Sequence, residues 1–326
     1  MNNSKPWKKY PLIDTELQAV NELIQQTIKT PHPSLQSALL TMADNGGKYL
    51  RPSLLLLAAR AVGKVDEQTI KLGASIEILH MATLIHDDII DDSDKRRGAV
   101  SIQAAFGKDV AVYTGDLLFT DFFDLMLGAI NEHDYFVRNA QTMRQILNGE
   151  LGQMGQRFNL KQTLNSYISD VRGKTAALFR LAAEEGAHFA GGNHAQTMAL
   201  ANFAENLGIA FQIVDDLLDY NGGAQMNKPT LEDLATGVYS LPLLLALDKP
   251  NLKQQLLPLL NKKRQMTLTN MQAVQRIIVN SSVMSESQDL AKQYVHQAVD
   301  CLNILKPNPA VRLLKQLPNK LLTRNF

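Results

Sequence analysis

Leucine, alanine and glutamine recur at three- and four-residue intervals through most of the 326 residues, and that rhythm excludes most folds. Positions so spaced fall on one side of a helix, whereas the two-residue alternation and hairpin dipeptides of strands are nearly absent. The spacing predicts helices at 13–28, 33–42, 50–62, 66–92, 108–130, 134–157, 164–190, 195–221, 239–260, 268–280 and 284–304. The breaks are short: KTPHPS at 29–34, NGGK at 45–48, NPAV around 308, and the longer YNGGAQMNKPT at 220–230. No proline- or serine-rich linker, low-complexity tract or internal repeat divides the chain. The expected fold is all-α, a single large helical bundle over residues 1–326. An apolar content of 45% is ample for its core. Helices 66–85 and 173–190 are apolar or small on more than one face, which predicts burial among neighbours.

Thirty-three basic against thirty-two acidic side chains leave a net charge of +1, so no bulk field points to nucleic acid or an anionic membrane. Any charge-based function is local. Cys301 is the only cysteine, which excludes an intrachain disulfide and a thiolate metal cluster and fits a reducing cytoplasm. The opening MNNSKPWKKYPLIDTELQ lacks the apolar run of a signal peptide, and no window reaches about 18 uninterrupted apolar residues. The expected location is cytoplasmic.

Against this background HDDIIDD, residues 86–92, concentrates four aspartates at the end of an apolar helix. A helix advances about 100° per residue, so Asp87 and Asp91 lie within roughly 40° of each other with Asp88 beside them, and His80 falls on the same stripe. Like charges so placed repel, and burial raises the cost steeply. Carboxylates in this array suit magnesium, which takes one or two and fills its other positions with water and substrate phosphate. A solvated acidic helix end, balanced by Lys95, Arg96 and Arg97, is the simpler explanation of a single run. A second run argues against it: FQIVDDLLDY repeats the spacing with Asp215, Asp216 and Asp219, and Gln212 shares the face of Asp215. If the two helices face each other, they form carboxylate jaws for several magnesium ions around one polyanion, most simply a diphosphate.

Cations occur beside these motifs. GGKYLRP supplies Lys48 and Arg51 where a helix starts, Arg96 and Arg97 follow the first jaw, RGKTAAL supplies Lys174 and Thr175, and NKPT supplies Lys228. Arginine forks and lysine point charges suit phosphate oxygens, although each of these taken alone reads as a surface cation.

GGKYLRP, EILHMATLIHDDIIDDSDKRRG, YTGDLLF, GELGQ, RGKTAAL, GIAFQIVDDLLDY and DLATGVYSLPL stand in the order and spacing of the trans-isoprenyl diphosphate synthases, and the chain resembles that family from about residue 35 to 250. The resemblance implies an isoprenoid-synthase fold with a central cavity, and a homodimer. It implies that Asp87, Asp88, Asp91, Asp215, Asp216 and Asp219 bind two to three magnesium ions and the allylic diphosphate. It implies that Arg96, Lys174, Thr175, Gln212 and Lys228 contact the allylic diphosphate, and that Lys48, Arg51, His80 and Arg97 hold isopentenyl diphosphate. The implied chemistry is ionisation of the allylic carbon–oxygen bond, attack by the isopentenyl double bond on the cation, and loss of a proton to the departed diphosphate. The protein positions substrates and keeps water off the cation.

Two positions depart from the family pattern. Val238 follows Gly237 where many relatives have lysine, and Asn227 precedes Lys228 where glycine is usual. An extended isoprene unit is about one helical turn long, roughly 5.4 Å, so residues upstream of Asp87 act as a ruler. Short-chain members of the family place an aromatic ring four or five positions upstream; here stand Ala82 and Thr83, with Ile76 deeper. The expected product therefore has about six to eight units, with Phe119, Phe122 and Phe123 on a neighbouring helix setting the stop.

His86 points about 100° away from Asp87 and reads as a hydrogen-bonded helix residue rather than a metal ligand. Glu150 and Gln153 of GELGQ line a cavity floor or pair helices. The basic, amphipathic KPNPAVRLLKQLPNKLLTRNF reads as a helix closing the bundle, with peripheral contact to membrane lipid as its alternative. Other readings stay open. Terpene cyclases share the fold but lack the GGKxLRP element, and non-catalytic subunits lose one or both aspartate motifs. A catalytic-type subunit that needs a small partner, or a geranylgeranyl or farnesyl synthase, keeps every motif.

Overall fold

The computed structural model of the chain describes residues 10–45, 49–96, 98–221 and 231–322. Its helices are, in order, α1 (Asp14–Thr27), α2 (Pro33–Asn45), α3 (Leu50–Val62), α4 (Glu67–Ile90), α5 (Ile102–Phe106), α6 (Lys108–Leu127), α7 (His133–Gly155) and α8 (Leu164–Val171). A π-helical turn, Arg172–Ala176, leads into α9 (Ala177–Phe189). There follow α10 (His194–Asn221), α11 (Glu232–Thr236), α12 (Leu241–Leu247), α13 (Pro250–Leu260), α14 (Leu268–Val279), α15 (Val283–Cys301) and α16 (Pro309–Leu322). Among the described residues the only strands are β1 (Lys95–Arg96) and β2 (Ala99–Val100), an antiparallel pair two residues long. The all-α expectation is borne out.

The chain divides into two compact units. The first comprises the described residues of Met1–Arg138, Leu181–Ala201 and Ile304–Leu314; the second, those of Asn139–Arg180, Asn202–Asn303 and Lys315–Phe326. Four boundaries fall within α7, α9, α10 and α16, and the fifth, Asn303–Ile304, within the 3-10 turn Leu302–Ile304.

In the first unit α4 packs on α1, α3 and α6. It opens at a capping box: the Asp66 carboxylate accepts the Thr69 N–H at 2.9 Å, and Thr69 Oγ1 accepts the Asp66 N–H at 2.8 Å. Every residue from Leu72 to Ala82 is buried, which is the burial predicted for a helix without a polar face. In the second unit α12 packs on α15 and α13 on α14. Leu256, Leu260, Val274, Ile278 and Val295 lie in its core.

Three boundaries differ from the sequence expectation. The predicted helix 239–260 is two helices, because Lys249 is extended (φ −97°, ψ 116°) ahead of Pro250, which opens α13. The predicted helix 164–190 contains the π turn. The five-residue α5 and α11 are too short to show a period. The C-terminal segment forms α16, and Ala310, Val311, Leu314, Leu317 and Leu321 on its apolar face are buried by the chain itself. No helix among the described residues is long and apolar enough to cross a membrane.

Candidate active site

Both aspartate motifs end a helix, α4 in the first unit and α10 in the second. A helix C-terminus already carries about −0.5 elementary charge on its unpaired carbonyls, so three carboxylates there are disfavoured twice and call for a cation.

In the first unit Asp87 and Asp88 lie in the last turn of α4. Asp91 caps it, its N–H donating to the Asp87 carbonyl at 2.9 Å, so Asp87 and Asp91 stay one turn apart. Asp92 then adopts a left-handed φ of 52°, and the β1–β2 hairpin returns Arg96 to the helix end. Arg96 Nε donates to Asp88 Oδ1 at 2.7 Å and Nη2 donates to the same oxygen. Asp88 is only 2% exposed, so its charge is met by a guanidinium of the same chain.

His86 is turned onto α6, as its angle predicts. Nε2 lies 3.3 Å from Asp116 Oδ1 and the ring is 5.3 Å from that of Phe119. Gly115 makes room for it, since a Cβ there would stand 2.4 Å from Nε2. His80 is buried and its carbonyl accepts the Thr83 hydroxyl at 2.8 Å; Arg51 lies in the first turn of α3. Ile76, Ala82 and Phe122 are fully buried, Thr83 is half-buried, and Phe123 is exposed. Lys48, Arg97, Asn227 and Lys228 lie outside the described residues.

In the second unit a cleft is lined by, among others, Lys174, Thr175, Gln212, Asp216, Val238 and Tyr239. Gly149 and Gly173 build one wall by letting backbones touch: a Cβ on Gly149 would lie 2.3 Å from the Lys174 nitrogen, and one on Gly173 2.7 Å from the Gln145 carbonyl. The π turn stacked on α7 at this point presents Lys174 and Thr175; such turns are frequent at functional sites. Lys174 Nζ is 2.9 Å from Glu150 Oε2 and donates to Gln153 Oε1 at 3.0 Å. The two polar residues of GELGQ therefore hold the lysine.

Asp216 is 3% exposed and fully engaged. Oδ1 accepts Gln212 Nε2 at 3.0 Å, and Oδ2 accepts the Tyr167 hydroxyl at 2.6 Å and the Leu241 N–H at 3.1 Å. Gln212 Oε1 in turn accepts Thr175 Oγ1 at 2.9 Å. Burial pushes the Asp216 carboxyl up to about 6 against the effect of those donors. Burial, and then the nearby Asp233, pushes Asp219 up to about 7. Asp219 Oδ1 accepts the Leu231 N–H at 2.9 Å, while buried Oδ2 has no hydrogen-bond partner among the described residues.

That orphan oxygen fits a metal. An ionised carboxylate can only accept, and a cation satisfies it where no donor does. Among the described residues no three histidine, cysteine, aspartate or glutamate side chains form a ready metal cage. Magnesium does not need one, since it keeps its waters and binds through one or two carboxylates plus phosphate.

Tyr167 and Asp233 were missed by sequence reasoning. Tyr167 reads as a core aromatic of α8, and no spacing links it to an aspartate 49 positions away. Asp233, in DLATG, lies within a helix too short to show a face.

The family model for polyprenyl synthetase matches residues 32–278. The chain is 33% identical to heptaprenyl diphosphate synthase component 2 of Geobacillus stearothermophilus, over 94% of this chain and 95% of that protein. It is similar to the structure of geranylgeranyl pyrophosphate synthase from Lactobacillus brevis, with a TM-score of 0.92 and 35% identity over 98% of this chain and 99% of that one. A polyprenyl synthase from Caulobacter crescentus, crystallised with calcium and isoprenyl diphosphate, gives a TM-score of 0.89 and 32% identity over 97% of each chain.

Proposed function

The chain belongs to the polyprenyl synthetase family, and from that premise we propose that it elongates an allylic diphosphate with isopentenyl diphosphate, by successive 1′-4 condensations, to an all-trans product of about six to eight isoprene units. It is a trans-prenyltransferase; the product length, the metal and the assembly are the proposed part. A quinone side chain is the fitting use for such a product.

The observation that carries the active-site reading is the buried Asp219 Oδ2 at the end of α10, which has no hydrogen-bond partner among the described residues, in the unit whose cleft also holds Lys174. Magnesium, two to three ions in all, would be held by the Asp87–Asp91 and Asp215–Asp219 motifs. Bound there it would neutralise the diphosphate and the charge that grows as the diphosphate leaves. Asp88 and Asp216 serve these motifs as braces, each already bound to donors of its own unit. Lys174 and Thr175 offer a cation and a hydroxyl to diphosphate oxygens, and Lys174 exchanges Glu150 for phosphate when substrate enters. With Val238 in the cleft wall, Lys174 takes the share of charge that a lysine after Gly237 would carry. Arg96 and Lys228 complete the allylic side, and Lys48, Arg51, His80 and Arg97 the isopentenyl side. The small, buried Ala82 supports a long product, since neither position four nor position five before Asp87 carries an aromatic ring.

The two units act as one catalytic domain. A homodimer is supported by an exposed apolar stripe on α7, Leu147, Leu151 and Met154, and by Tyr113, Phe123 and Leu127 exposed on α6. A second reading, a catalytic subunit that needs a small partner, is favoured by the similarity to a protein named component 2.

Purified protein incubated with magnesium, labelled isopentenyl diphosphate and farnesyl diphosphate should give a product of about six to eight units after dephosphorylation. A geranylgeranyl product would overturn the long-chain assignment. Inactivity of the chain alone would favour the two-component form.

A further inference from the structure

Charge alone does not explain how Asp216 is held. Tyr167 belongs to none of the motifs that carry phosphate or metal chemistry, yet it makes the shortest of the three bonds to this carboxylate, and both side chains are nearly inaccessible, 5% and 3% exposed. At 2.6 Å the contact has the length of a charge-assisted O–H···O⁻ bond. Burial holds the Tyr167 phenol well above its ordinary range, so it remains a donor.

The bond is one side of a closed ring. Tyr167 donates to Asp216, Gln212 donates to Asp216 one helical turn away, and Thr175 donates to Gln212. Tyr167 and Thr175 are eight positions apart on the same α8–π segment, while Gln212 and Asp216 share α10. Two tethers thus fix the end of α10 against the segment that also carries Lys174. One tether would leave a hinge; two set a direction.

We propose that Tyr167 is a positioning residue of the second aspartate motif: its hydroxyl locks the Asp216 carboxylate, and through the last turns of α10 sets where Asp215 and Asp219 offer theirs to a divalent cation. The inference rests on the reading of that motif as a magnesium site. Partners that orient metal-binding groups typically contribute about 10- to 100-fold in metal affinity.

Manganese binding to the intact protein with a non-hydrolysable thiolo-diphosphate analogue of the allylic substrate, measured by electron paramagnetic resonance, reads this without turnover. Tyr167→Phe should weaken binding by about 10- to 100-fold and raise the magnesium concentration for half-maximal condensation by a similar factor, with a lower thermal midpoint but the fold retained. Asp216→Asn, which keeps the side-chain shape, should show the same defect, and the double variant should be no weaker than Asp216→Asn alone. Wild-type manganese affinity in Tyr167→Phe overturns the inference, as do losses that add in the double variant. If Tyr167→Phe does not fold, Asp216→Asn decides, and unchanged metal binding there is equally fatal. A wild-type protein that binds no manganese overturns the underlying metal-site reading instead, and is seen before any variant is made.

Discussion

Arg96 is held against Asp88 by a two-residue hairpin, its Nε 2.7 Å from an aspartate oxygen that is almost closed to solvent. The guanidinium is about a third exposed, whereas its partner is buried, so the two do not lose equally when separated. Arg96→Ala takes the guanidinium away from a desolvated carboxylate and should cost about 1–3 kcal/mol of stability. Asp88→Ala leaves an arginine that can turn to water and relieves repulsion among Asp87, Asp88 and Asp91, so it should cost little stability while removing most turnover. Adding Asp88→Ala to Arg96→Ala should therefore restore stability. Urea denaturation at pH 7 checks the pattern; equal stability of Arg96→Ala and wild type would contradict it.

Asp121, on α6, gives a pH signature away from the aspartate motifs. Burial first, and Asp124 second, pushes its carboxyl up to about 6, and its buried Oδ2 has no hydrogen-bond partner among the described residues. The folded state thus holds a proton on Asp121 that the unfolded chain has released, between the ordinary value of 3.8 and about 6. Stability falls as pH rises through that window and is level above it. Asp121→Asn removes this dependence. It should melt roughly 1–3 °C above wild type at pH 7 and with no advantage below pH 4, in thermal scans across pH. A constant difference at all pH values would assign the effect to packing instead.

The helices were legible where a period runs for several turns, as in α4, whose start the structure closes with a capping box at Asp66 and Thr69. The break at Lys249–Pro250 is missed by the prediction of one helix over 239–260, although proline biases its predecessor away from helix. The aspartates and Gln212 were found through local spacing, and Lys174 through the resemblance of RGKTAAL to a family motif. The Tyr167–Asp216 bond and the Glu150–Lys174 pair had no such signal, since they join segments 49 and 24 positions apart whose meeting is set by tertiary packing. The return of Arg96 to Asp88 depends on Asp92 adopting a left-handed φ, which its residue type permits without requiring.

Lys174 and Gly149 test the cleft from two sides. Lys174→Ala removes the cation and should lower kcat/KM with farnesyl diphosphate by about 10²–10³, the usual effect of losing one charge-stabilising group. Gly149→Ala leaves that lysine in the sequence but puts a Cβ 2.3 Å from its backbone nitrogen, so the π turn must move off α7. Activity should fall in both variants. Stability should fall in Gly149→Ala alone, since Lys174 is partly exposed and its loss removes no core contact. Steady-state kinetics beside a thermal melt separates them; full activity in Gly149→Ala would show that backbone contact to be dispensable.

Ala82 tests product length at a measurable structural cost. It lies at the end of the continuous buried stretch of α4, one turn before His86 and five residues before Asp87, with no solvent into which a larger side chain could turn. Ala82→Phe must therefore displace neighbours and should cost about 1–3 kcal/mol through overpacking. If those neighbours line the path of the growing chain, the ring should also stop elongation early, shortening the product while turnover of farnesyl diphosphate persists. Thr83→Phe, starting from a half-buried position, should be tolerated better and report whether the path passes that face. Chromatographic sizing of dephosphorylated products reads chain length, and denaturation reads strain. Loss of stability without any change of length in either variant would place the ruler elsewhere on the helix.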